Sequence, residues 1–111
     1  MSVRARVLPT QVSGIALSRS TNVKVIDMVD DPEFNLLAAL PECIVFIETA
    51  RRSGSVFVHC LAGKSRSVAV VCAYLQIVYN LRAEEVLPFL RLRHPPANPN
   101  PGFVEQVREW R

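Results

Sequence analysis

The sequence predicts an α/β domain: a small, mostly parallel central sheet flanked by helices, with a functional loop between a strand at 55–60 and a helix at 66–79. Three observations carry that reading. The chain has 111 residues, half of them apolar and 21% charged, which is the make-up of one globular domain and not of a disordered tail or a collagen-like repeat. β-Branched runs alternate with stretches of helical spacing, the order that α/β layers produce. The apolar run at 55–60 passes into a helical pattern after only a short loop.

Taken in order, residues 23–29 (VKVIDMV) form a β-branched run closed by the turn signal Asp30-Asp31-Pro32, which reads as a strand. Leu36, Leu37, Leu40, Ile44 and Ile47 then recur at helical spacing, with Arg51-Arg52 and Gly54 as a basic last turn and a closing glycine. Pro41 removes a backbone donor from this helix, so it either starts near Pro41 or kinks there. SVFVHC at 55–60 has the composition of a short buried strand. After the loop at 61–65, the helix at 66–79 presents Val68, Val71, Cys72 and Leu75 as its apolar stripe. A further helix is expected at 83–93, with Pro88 inside it, and a terminal one at 103–110. The proline-rich stretch between them, 95–102, cannot be regular structure. No internal repeat is present.

Net charge is +3 and the pI is about 9.1, with the basic residues scattered. That balance favours acidic substrates without demanding nucleic acid, which is not expected as a partner. The longest uncharged stretch, 67–81, is shorter than the roughly 20 apolar residues that span a bilayer, so no stable membrane insertion is expected. Cys43, Cys60 and Cys72 suggest free thiols, because three cysteines form no even-numbered disulfide framework and lack the spacing of zinc ligands. No metal or other cofactor is expected. The opening segment lacks a continuous apolar core, so no secretory signal is read there. Its arginines and serines, with no acid before Asp27, give a faint transit-peptide composition. Cytoplasmic location is expected, with nuclear and mitochondrial location as alternatives.

One constellation points to chemistry: His59-Cys60-Leu61-Ala62-Gly63-Lys64-Ser65-Arg66-Ser67. A loop turning into a helix N-terminus aims several backbone N–H groups into one concavity, and the macrodipole makes that concavity an anion site. Gly63 admits a backbone conformation closed to other residues. Arg66 can offer a planar fork to two phosphate oxygens, and Cys60 sits where the same donors favour a thiolate nucleophile. Lys64 adds charge at the rim.

These residues resemble the cysteine-dependent protein tyrosine phosphatase superfamily and, within it, the dual-specificity phosphatases, whose loop reads HCxxGxxRS. A chance match in a chain of this length is on the order of one in ten thousand or rarer. The resemblance continues in Asp30-Asp31-Pro32-Glu33-Phe34-Asn35-Leu36, similar to the family's general-acid loop, whose offset of about thirty residues from the nucleophile picks Asp30. It also continues in Asn98-Pro99-Asn100-Pro101-Gly102-Phe103 with Gln106 and Trp110, similar to the family's N-P-G-F segment and closing helix.

The resemblance implies that Cys60 is the nucleophile forming a phosphocysteine, that Arg66 clamps the phosphate, and that the amides of Leu61, Ala62, Gly63, Lys64, Ser65 and Arg66 share the cradle. It implies that Asp30 is the general acid and then the base, and that Ser67 eases departure of the thiolate. His59 either orients the loop or is an ordinary strand histidine. Asn100 either steadies the phosphate loop or is a turn asparagine. Cys43 and Cys72 read as packing residues, and His94 as solvent-facing. The implied substrate is a phosphorylated protein, at phosphotyrosine and at phosphoserine or phosphothreonine. A phosphoinositide phosphatase and a phosphate-binding module without turnover are the alternatives; Lys64 matches one of two loop lysines favoured for phosphoinositides, and Leu61 stands at the other. Oligomeric state is not specified by the sequence.

The resemblance implies a catalytic domain shortened on its N-terminal side. Residues 23–111 read as the phosphatase-like domain, and 1–22 as an irregular segment. The family's sheet has a strand between those matching 23–29 and 55–60, and residues 3–8 are the candidate to fill it. The connection at 9–22 then has the dozen or more residues that a parallel crossover needs.

Overall fold

The computed structural model describes residues 2–9, 22–60 and 64–110. Three strands, β1 (Ser2–Pro9), β2 (Asn22–Asp27) and β3 (Gly54–His59), combine with four helices, α1 (Leu36–Ser53), α2 (Arg66–Tyr79), α3 (Ala83–Arg93) and α4 (Pro101–Glu109). The helices run to 18, 14, 11 and 9 residues against strands of 8, 6 and 6, so helix dominates the regular structure.

The mostly parallel sheet expected from the sequence is not what forms. The order is β2-β1-β3, and both pairings are antiparallel. Ser2 lies opposite Asp27 and Val7 opposite Asn22 on one side; Arg4 lies opposite His59 and Pro9 opposite Gly54 on the other. The end of β1 and the start of β2 are therefore at the same end of the sheet. A connection between them needs no crossover, so its length does not select parallel pairing. With β1 antiparallel to both neighbours, β2 and β3 run in the same direction. They release the chain at Met28 and Cys60 from one end of the sheet, which brings those two segments together.

Helix α1 packs on β1 and β3, and α2 packs on β3, α1, α3 and α4. Leu36, Leu40, Cys43, Ile47 and Ala50 are the buried stripe of α1, capped at its start by Asn35, whose Oδ1 accepts from Ala38 N at 3.2 Å. The helix begins at Leu36 and runs through Pro41. Pro41 is exposed, as is Pro88 in α3, so each proline ring lies on the solvent side of its helix. Gly54 does not close α1 in a left-handed cap; its backbone is extended, and it opens β3. Helix α2 ends in the left-handed Asn80 (φ 53°, ψ 50°), with Leu81 N bonded to Gln76 O at 3.1 Å.

Neighbours surround α2, which explains why its burial is broader than the expected stripe: Val68, Ala69, Val70, Cys72, Ala73 and Tyr74 are all buried, while Val71 and Leu75 are half-buried. Tyr74 ties α2 to α1, donating to Glu48 Oε2 at 2.6 Å and accepting from Arg51 Nε at 2.6 Å. Cys43 and Cys72 lie buried in this core, and burial pushes the Cys72 thiol up to about 12. Among the described residues no helix is long and apolar enough to cross a membrane.

Candidate active site

The site is assembled where α2 begins. Cys60 is the first residue beyond β3, and its sulfur meets the first turn of α2: Ser67 N donates to Sγ at 3.4 Å, and Sγ lies 3.2 Å from Ser67 Oγ, a thiol donating to a hydroxyl. Ser67 N is one of the amides that an α-helix leaves without an internal partner in its first turn. Its direction toward sulfur, with the positive end of the helix behind it, suits a thiolate. Both residues are buried.

Arg66, the first residue of α2, is only 2% exposed. One arm of its guanidinium donates to Met28 O at 3.3 Å, the residue that follows β2. This bond fixes the cation against the strand that leads into the acidic loop, a consequence of β2 and β3 ending side by side. Leu61, Ala62 and Gly63, expected to contribute amides to the cradle, lie outside the described residues. Lys64 is exposed. The backbone of His59 pairs with β1 as the last residue of β3.

The two neighbouring aspartates are used differently. Asp31 closes its own turn: its Oδ1 accepts from Glu33 N at 2.7 Å, and its carbonyl accepts from Phe34 N at 2.9 Å. Asp30 instead faces the start of α2. Its Oδ1 accepts from Asn100 Nδ2 at 2.9 Å, and Asn100 also reaches Ser65 Oγ through its backbone N–H. The nearby Ser65 hydroxyl is the strongest influence holding the Asp30 carboxyl below its ordinary value; partial burial opposes it, and Asn100 and the Arg66 charge add to it.

Asn100 joins three parts of the site. Its backbone N–H donates to Ser65 Oγ at 2.9 Å, its Nδ2 to Asp30, and its Oδ1 accepts from Phe103 N at 2.9 Å as the cap of α4. Asn98 N donates to Lys64 O at 2.7 Å. The proline-rich stretch thus clamps Lys64 and Ser65, just before α2. Helix α4 then braces the acidic loop: Gln106 donates to Phe34 O at 2.9 Å and accepts from Leu37 N at 3.1 Å. The Phe34 and Phe103 rings meet edge to face at 6.4 Å. Gly102 lies so close to Pro32 that a Cβ would collide with the Pro32 carbonyl.

The structure brings together Cys60, Arg66, Ser67, Ser65, Asp30 and Asn100. The Ser65 side chain is the participant that the sequence reading left as a backbone donor only. A signal was available, because a serine just before a helix ordinarily caps it, and this one makes no side-chain cap. Cys43, Cys72 and His94 stay outside the site: the cysteines lie in the core, and His94 is exposed beyond α3.

A strand leading to a buried cysteine, an amide of the α2 N-terminus on its sulfur and a buried arginine opening that helix form an arrangement that can hold a thiolate and an anion together. Comparison with known sequences agrees: residues 7–111 match the dual specificity phosphatase catalytic domain, and the chain belongs to that family. It is 41% identical over 87 residues to dual specificity protein phosphatase 1 of Arabidopsis thaliana, an alignment covering 78% of this chain and 44% of that protein. Among solved structures, DUSP15 superposes with a TM-score of 0.72 at 41% identity, covering 74% of this chain and 53% of that one. The human tyrosine phosphatase-like serine/threonine/tyrosine-interacting protein superposes with a TM-score of 0.73 at 34% identity, covering 77% and 57%. The chain therefore spans about half the length of the relatives it matches.

Proposed function

We propose that this chain is a phosphomonoester hydrolase that dephosphorylates phosphotyrosine, phosphoserine and phosphothreonine in proteins through a phosphocysteine. The arrangement that supports the reading is Cys60 Sγ held at the α2 N-terminus by Ser67, with the buried Arg66 as the first residue of that helix. In the first step the Cys60 thiolate attacks phosphorus. An S–P bond forms, the ester P–O bond breaks, and Asp30 gives its proton to the departing oxygen. Arg66 and the loop amides stabilise the charge on the phosphoryl oxygens. In the second step Asp30, now a carboxylate, takes a proton from water attacking the phosphocysteine. The S–P bond breaks, inorganic phosphate leaves, and Ser67 stabilises the returning thiolate.

The test is hydrolysis of an aryl phosphate by the wild-type chain and by Cys60→Ser at matched folding. The variant is expected to lose turnover while still binding the substrate, because Arg66 and the amide donors remain. Hydrolysis by Cys60→Ser near the wild-type rate would remove the covalent mechanism. Faster release of phosphate from phosphopeptides than from phosphoinositides is expected, and the reverse order would move the substrate class to lipids. Binding without turnover in the wild-type chain would make it a phosphate-binding module.

A further inference from the structure

Asn100 caps α4, and a cap needs only an oxygen: its Oδ1 accepts from Phe103 N at 2.9 Å, which serine, threonine or aspartate would do as well. Asparagine adds the Nδ2 donor. That donor goes to Asp30 Oδ1 at 2.9 Å, 70 positions away in the chain. The cap also decides which way the amide faces, because turning it over would set an NH2 group against the Phe103 N–H and an oxygen against the Asp30 carboxylate. The backbone around it is fixed as well. Asn100 lies between Pro99 and Pro101 in the extended form (φ −62°, ψ 158°) that a residue before proline prefers, and its N–H and carbonyl are bonded to Ser65 Oγ at 2.9 Å and Val104 N at 3.0 Å. The direction of the donor is therefore set by α4 and the turn before α2, not by the acidic loop.

Asp30 is exposed, and the last torsion of an aspartate side chain is broad, so an unheld carboxyl would present either oxygen to a substrate. An N–H donor bonds only to an oxygen that carries no proton. We propose that Asn100 is a positioning residue for the acid step: by holding Asp30 Oδ1 it places the acid proton on Oδ2 and stops the carboxyl from turning. This rests on the hydrolase reading above, in which the ester P–O bond breaks, the departing oxygen takes that proton, and Asp30 is left as a carboxylate. The same bond then keeps Oδ2 directed at the attacking water when Asp30 is the base. Of the charged groups around the pair, Arg66 acts on Asp30 from α2, Lys64 precedes Ser65, and Asp31 and Glu33 share the acidic loop. Residues 95–104, the proline-rich stretch and the first turn of α4, carry no charge.

The test compares kcat/KM for a phenolic phosphate with that for an ester whose good leaving group needs little protonation. Asn100→Ser keeps an oxygen to cap Phe103 N and the backbone N–H to Ser65, and removes the donor to Asp30. The ratio of phenolic to good-leaving-group rates is expected to fall roughly tenfold, a part of the hundredfold or more that loss of a general acid costs. In an Asp30→Asn background the same substitution should leave the ratio where it was, since no acid remains to orient. A merely structural role would slow both esters together and would persist in that background, and either result would overturn the proposal alone. A second measurement leaves residue 100 intact. In the Cys60→Ser chain, NMR should show a side-chain amide proton of Asn100 shifting in step with the Asp30 carboxyl carbon as pH is varied. An Asn100 amide that ignores the Asp30 titration would overturn the proposal whatever Asn100→Ser does. A wild-type chain that hydrolyses neither ester would sink the hydrolase reading and the proposal with it.

Discussion

Asp30 and Asp31 are adjacent and both exposed, and what separates them is where their oxygens are used. Asp31 is committed to the amide of Glu33, whereas Asp30 reaches Asn100, whose backbone N–H meets Ser65 Oγ. If Asp30 is the general acid, Asp30→Asn should slow hydrolysis of phenolic phosphates about a hundredfold or more, the scale of lost proton transfer. An ester with a good leaving group should lose much less. Asp31→Asn retains an amide oxygen for the Glu33 N–H and should change neither. Parallel kinetics on the two esters check this, and a leaving-group-dependent loss in Asp31→Asn instead would move the acid by one residue. The offset of Asp30 from Cys60 was legible because it is a spacing along the chain. The Ser65 contact was not, because it joins residues 35 positions apart whose meeting depends on how α4 is seated.

At the scale of elements, α4 acts as a strut between α2 and the acidic loop. Gln76 donates to Val107 O at 2.8 Å and Trp110 to Ala73 O at 3.1 Å on the α2 side; Gln106, Phe103 and Gly102 meet the loop on the other. Helix α4 begins at Pro101, two residues before the start expected at 103 and inside the stretch expected to be irregular, because Asn100 and Pro101 form a cap followed by a first-turn proline. The need for glycine at 102 is not marked locally, since it arises from Pro32, distant in sequence. Helix propensity alone would make Gly102→Ala stabilising by about 1 kcal/mol. The collision with the Pro32 backbone reverses the sign, and a loss of roughly 1–3 kcal/mol is expected, typical of overpacking. Glu109→Ala on the exposed face of α4 should be near neutral. Thermal melting of the two variants checks this, and a Gly102→Ala protein as stable as wild type would show that the loop and helix separate easily.

For the whole molecule, the helices were the most legible part, since their apolar spacing, caps and stop signals lie within each segment; α2 occupies the range read from its sequence. Strand direction was not legible. A run such as VKVIDMV has the same alternation whichever way its neighbour points, and pairing is decided by where distant chain ends meet. The sheet depends on that arrangement: β1 is bonded on both edges, while β2 and β3 each border it on one. Deleting residues 2–9 would leave backbone groups of β2 and β3 without these partners, and unpaired buried groups cost about 1–3 kcal/mol each. Because β2 and β3 deliver Met28 and Cys60 to the site, the damage should reach Arg66 and the acidic loop. The expected result is loss of a cooperative thermal transition together with aryl phosphatase activity. Circular dichroism melts and turnover of the deleted chain check both at once. An unchanged melt would show that the sheet is not required for stability, and an unchanged rate would show that α1, α2 and α4 hold the site without it.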